Sequence, residues 1–157
     1  MVDHIMTDKV LIKLKGMHTI TEADQDDVEV IVPGSCARMG DTWYVSFNEP
    51  VEETGTEIKS LLKMRRDSLE VTRTGAINTH MVFEKGKKTF AGYVTPLGEI
   101  SLGISALDVR LQESDRGLDM KAYYDLDINY EPAARCSIDI SVTDASTAQI
   151  RGRDEQN

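Results

Sequence analysis

The chain of 157 residues predicts an all-β fold, a single antiparallel meander closed into a barrel of about 8–10 strands. Three features lead there. Apolar and polar residues alternate almost throughout, with no stretch that repeats at helical period. Compact breakers separate the alternating runs at intervals that suit hairpins. Finally, each run has one wet and one dry face, and no helix is available to cover the dry side, so the strands must pack on one another or close into a barrel. Long strands favour closure, because they would leave a hazardous edge on an open sheet.

In chain order, the alternating runs are Lys9–Lys15, Val28–Val32, Thr42–Glu49, Thr56–Met64, Leu69–Thr74, Ile77–Glu84, Thr89–Thr95, Glu99–Leu111, Leu118–Tyr130 and Cys136–Thr143. The ninth has the cleanest period. Leu118, Met120, Ala122, Tyr124, Leu126, Ile128 and Tyr130 share one face, and Asp119, Lys121, Tyr123, Asp125, Asp127 and Asn129 the other. The tenth repeats it, with Ile138, Ile140 and Val142 set against Asp139, Ser141 and Thr143. Among the breakers, Thr95-Pro96-Leu97-Gly98 and Ser114-Asp115-Arg116-Gly117 carry type I turn chemistry. Met39-Gly40-Asp41, Arg66-Asp67-Ser68, Thr74-Gly75, Lys85-Gly86 and Tyr130-Glu131-Pro132 mark the other turns. Thr19–Asp27 is an acidic loop or short helical turn. With no linker or repeat to divide it, the chain is one domain over 1–150, followed by a polar tail over 151–157.

Composition excludes several classes. With 27 acidic against 18 basic residues, the formal charge of −9 repels phosphate backbones and anionic lipid, so nucleic-acid and membrane partners are not expected. The basic clusters Lys63-Met64-Arg65-Arg66 and Lys85-Gly86-Lys87-Lys88 coincide with turn signals and read as solvated hairpin ends. No apolar run approaches the roughly 18 residues of a membrane helix. The first residues lack the basic head and apolar stretch of a secretory signal, so a cytoplasmic location is expected. Cys36 and Cys136 are far apart without ligand spacing and read as buried free thiols. His4, His18 and His80 form no metal motif, and no nucleophile elbow, P-loop or dinucleotide fingerprint is present. No cofactor and no enzymatic activity are expected.

From about Trp43 to Asp144 the chain resembles the YwiB-like family of small bacterial proteins of uncharacterised function. The residues that carry the likeness are Trp43-Tyr44 with Phe47-Asn48-Glu49, Arg73-Thr74-Gly75, Met81-Val82-Phe83-Glu84-Lys85-Gly86, Tyr93-Val94-Thr95-Pro96-Leu97-Gly98 and Tyr124-Asp125-Leu126. The resemblance implies a calycin-like, lipocalin-type barrel, and by analogy of fold a small apolar ligand; it brings no catalytic residues. One departure is Ser46-Phe47, where the family pattern often has a second aromatic near the end of that strand.

The candidate site comes from strand phase. Glu49 shares a side with Trp43, Val45 and Phe47; Thr56 and Ser60 with Ile58, Leu62 and Met64; Arg73 with Leu69 and Val71; and Thr79 with Ile77, Met81 and Phe83. On neighbouring antiparallel strands, Glu49, Thr56, Ser60, Arg73 and Thr79 converge. Arg73 then has three open readings: an internal ion pair with Glu49, a ligand contact, or an outward side chain re-aimed by a bulge at Gly75. The function expected is binding of a small, mostly apolar ligand with an anionic or polar end inside the barrel. Trp43, Phe47, Met64, Met81, Phe83 and Tyr124 would line its body, and Arg73 would meet its head. The alternative is a solid-core barrel serving as a protein-interaction or oligomerisation module, such as a homodimer.

Overall fold

Ten strands run β1 (Val10–Lys15), β2 (Glu29–Met39), β3 (Thr42–Val51), β4 (Thr56–Met64), β5 (Ser68–Gly75), β6 (Asn78–Glu84), β7 (Lys88–Thr95), β8 (Gly98–Ser114), β9 (Gly117–Ile128) and β10 (Glu131–Asp144). The computed structural model describes residues 9–16, 29–51 and 55–145. The expected loop Thr19–Asp27, His4, His18 and the tail from 151 lie outside the described residues. Every strand pairs antiparallel with its chain neighbour, and β1 also pairs with β10, closing the meander into a barrel. None of the described helices is long and apolar enough to cross a membrane.

The inner face follows the alternation. Val10, Ile12 and Leu14 of β1, Leu118, Met120 and Ala122 of β9, and Ile138, Ile140 and Val142 of β10 are all buried. Along β3–β6 the register stacks inward residues into layers. One end carries the row Trp43, Met64, Leu69 and Phe83, and the next carries Val45, Leu62, Val71 and Met81. Trp43 donates its indole N–H to Glu113 of β8 at 3.2 Å, so this row reaches across the barrel. Phe83 meets Tyr124 of β9 edge to face, with ring centroids 4.8 Å apart. That end is therefore floored by packed side chains.

Several boundaries differ from those read from alternation. β2 continues through Pro33 and Gly34 to Met39, because its two halves pair with different strands: Glu29–Gly34 with β1, and Gly34–Met39 with β3. Pro33 stands just outside the β3 ladder, where its missing N–H is harmless. Gly34 is needed at the changeover, since a Cβ there would lie 2.4 Å from the Ser46 carbonyl oxygen and 2.6 Å from Ile12 Cδ1. β9 ends at Ile128, and Asn129 and Tyr130 form a two-residue turn with positive φ at both, the I′ geometry that matches strand twist. β10 begins at Glu131 with a bulge between Pro132 and Ala134, and β8 bulges between Ala106 and Asp108. Both basic clusters do fall at hairpin ends.

The β6–β7 ladder holds only two residue pairs, Asn78 with Val94 and Thr79 with Tyr93. Beyond them threonine hydroxyls bridge the seam, Thr79 Oγ1 donating to the Gly92 carbonyl at 3.0 Å and Thr89 Oγ1 to the Val82 carbonyl at 2.6 Å.

Neither cysteine is in a disulfide; Cys36 is fully buried and Cys136 only half-buried. Burial pushes the Cys36 thiol from 9.0 up to about 11. Iodoacetamide at pH 8 should therefore leave Cys36 unmodified in the folded protein and label it in urea, as read by peptide mapping. Rapid labelling of Cys36 without denaturant would contradict its place in the core.

Candidate functional site

The third inward layer of β3–β7 differs from the two below it. It runs Phe47, Ser60, Arg73, Thr79, Tyr93, each the direct cross-strand partner of the next. A row holding an arginine and three hydroxyl residues lies over two rows that are almost wholly apolar. One further step toward the open end, Glu49 is the partner of Ile58, and Ile58 of Gly75. Arg73 thus reaches diagonally over β4, and its Nη2 donates to Glu49 Oε1 at 3.2 Å. The side chains are 7% and 20% exposed. A charged group so enclosed is tolerated only with an opposite charge beside it.

Of the three readings of Arg73, the Glu49 pair is present and the outward side chain is not. Gly75 has φ +120° and closes β5 against β4, where a Cβ would meet the Glu57 carbonyl oxygen at 2.3 Å. The β4–β5 register passes from Arg73 to Gly75 without a bulge, so nothing re-aims the arginine.

Satisfaction of the cluster is incomplete. Arg73 Nε and Ser60 Oγ are both buried, and neither has a hydrogen-bond partner among the described residues. Their residues stand directly opposite on β4 and β5. A buried donor left unmet costs about 1–3 kcal/mol, so two such atoms side by side mark a place where the protein alone does not complete its hydrogen bonding. Thr79 is buried too, but its hydroxyl hydrogen is committed to the Gly92 carbonyl, and its main role is to hold the seam. Thr56 is exposed at the start of β4 and does not join the interior, contrary to its phase, because it lies where the wall ends.

The expected lining residues separate in the same way. Trp43, Met64 and Phe83 belong to the packed floor, two layers from Arg73, which is about 13 Å along a strand at roughly 3.3 Å per residue. Phe47 shares the Arg73 layer. Met81 and Tyr124 are half-buried between floor and opening. Burial raises the Tyr124 phenol above its ordinary range, and Cys136 beside it adds to the shift. On β9 the inward side chains go from buried at Leu118, Met120 and Ala122 to half-buried at Tyr124, Leu126 and Ile128. The interior therefore changes from a solid floor to an accessible apolar wall at the end where Arg73 sits. Leu126, Ile128 and Tyr93 were not among the site residues inferred from the sequence, although the inward phase of β9 already held the first two.

A hollow of about 640 Å³ lies across β2–β5, lined by the outward Ser35, Ser46, Asn48, Lys59, Thr72 and Thr74 and also by Phe47 and Ser60 of the Arg73 layer. Most of its lining residues alternate to the outside of the wall. Beside it, Thr72 Oγ1 and His80 Nδ1 are 2.8 Å apart, and His80 Nε2 is 3.5 Å from Glu70 Oε1. No group of three or more His, Cys, Asp or Glu among the described residues is placed to hold a metal ion.

Residues 12–140 match the family model described as a domain of unknown function, DUF1934. No curated protein matches the chain. Among solved structures, the chain is similar to the crystal structure of the YwiB protein from Bacillus subtilis. The TM-score is 0.68 at 18% identity, covering 87% of this chain and 92% of that one, which establishes the shared fold.

If the Arg73–Glu49 pair is enclosed as described, Arg73→Met should lower unfolding free energy by about 3–5 kcal/mol, because it strands a carboxylate. The double variant Glu49→Met/Arg73→Met should lose clearly less than the sum of the two single changes. Additive losses in urea unfolding would show that the two side chains do not act as a pair.

Proposed function

The chain belongs to the DUF1934 family, and we propose that this member is a binding protein whose barrel takes a small, mostly apolar molecule with a polar head. The observation that carries this reading is the buried, half-satisfied Arg73: its Nη2 is held by Glu49 while its Nε and the facing Ser60 hydroxyl have no partner among the described residues. A purely structural pair would be better served by acceptors for every enclosed donor. The head of the ligand lies against Arg73 and Ser60. Its body lies along the half-buried inner side chains Met81, Tyr124, Leu126 and Ile128, above the Phe83–Tyr124 contact. Such a site, apolar with a few convergent polar groups, is the usual form of a small-molecule pocket. The analogy with calycin barrels points the same way, though a fold carries no function by itself.

Native mass spectrometry of the protein purified without denaturation tests this. A small molecule should accompany the wild-type chain and be lost from Arg73→Met. An unadorned mass for the wild type, together with failure to take up amphiphiles, would sink the proposal.

A protein-interaction role is favoured by one feature. Phe90, Val94 and Leu97, at 64%, 44% and 95% exposed, lie along β7 and its turn into β8. If that strip seats a second copy, Phe90→Glu should convert a dimer to a monomer in light scattering. A monomeric wild type would remove this reading.

A further inference from the structure

The head group taken at Arg73 is a neutral carbonyl-type acceptor and not an anion, we infer from the charges already in place; this rests on the binding role proposed above. Arg73 and Glu49 are opposite charges in contact, at 3.2 Å, so the pair is electrically complete before any ligand arrives. The fully enclosed groups of this pair of facing residues that have no partner among the described residues are the N–H of Arg73 Nε and the hydroxyl of Ser60. The first can only donate, and the second can donate or accept. A carboxylate or phosphate at that position would add a second negative charge beside Glu49 within an enclosed, low-dielectric site, and like charges so placed repel strongly. The anion would have to evict Glu49 from Arg73 or remain uncompensated.

A neutral amide, ester or ketone meets neither penalty. Its carbonyl oxygen accepts from Arg73 Nε, and Ser60 Oγ donates to the same oxygen or accepts from an adjacent N–H or O–H. Thr79 does not compete, because its hydroxyl hydrogen goes to the Gly92 carbonyl. Glu49 on this account is a specificity residue: by holding Nη2 it neutralises the arginine and rejects acids. The half-buried apolar wall of Tyr124, Leu126 and Ile128 accommodates the hydrocarbon part.

The discriminating experiment compares octanamide with octanoate by titration calorimetry on the full chain at pH 7.5. Octanamide should bind at least about tenfold more tightly. In Glu49→Gln, where the arginine has lost its counter-charge, the order should reverse in favour of octanoate. Ser60→Ala, a small change in a buried wall, should weaken octanamide about fivefold. Octanoate binding the wild type as tightly as octanamide, or tighter, overturns the neutral-head inference while leaving a binding barrel. Neither probe binding overturns both. Should Glu49→Gln fail to fold, the wild-type comparison and Ser60→Ala still decide.

Discussion

Closure by β1 is the constraint on which the rest depends. This strand of six residues pairs with β10 on one side and β2 on the other, and its inward Val10, Ile12 and Leu14 are all buried. Without it, β2 would lose its partner along Glu29–Gly34 and β10 along Asp139–Asp144, and the barrel would have two free edges. Closure also makes the inside of the molecule a single space, so that a polar group on β5 must be satisfied by whatever the same interior offers. Gly34 lets β2 bend from one neighbour to the next at the point where a side chain would strike Ser46 and Ile12.

Within that closed wall, polarity is graded along the axis. The Trp43–Met64–Leu69–Phe83 row is sealed and tied across the lumen by contacts with Glu113 and Tyr124. Two steps on, the Ser60–Arg73–Thr79 row brings charge and hydroxyls inside. A protein whose only need was stability would gain little from an enclosed ion pair, since well-packed apolar residues often do as well or better. Retaining one with a donor unmet is the sort of local inconsistency that marks functional positions in otherwise consistent folds.

Much of this was legible in the sequence, for physical reasons. Period-2 alternation located all ten strands, because each has one face toward the core. The same phase argument placed Glu49, Ser60, Arg73 and Thr79 together, since in an antiparallel meander adjacent strands share a face. It failed where local geometry overrides alternation. The run read as Val28–Val32 stopped short of Pro33 and Gly34, which are the point at which β2 changes partners and continues. The turn read at Tyr130-Glu131-Pro132 lies one residue earlier, at Asn129 and Tyr130, because Asn129 kept the strand pattern and tyrosine at φ +71° is an unusual choice that composition does not signal. Thr56 was in phase but stands where the wall has ended. How far each inward residue lies from the opening depends on register, and so Trp43, Met64 and Phe83 were not separable from Phe47 and Met81 before the layers were known.

The most direct test of the central claim is a high-resolution crystal structure of the protein as purified, examined within hydrogen-bond distance of Arg73 Nε and Ser60 Oγ. The account predicts density for a non-protein molecule that contacts both atoms and continues along Leu126 and Ile128. Arg73 Nε bonded to a protein acceptor, with side chains filling the lumen beside Leu126 and Ile128, would contradict it.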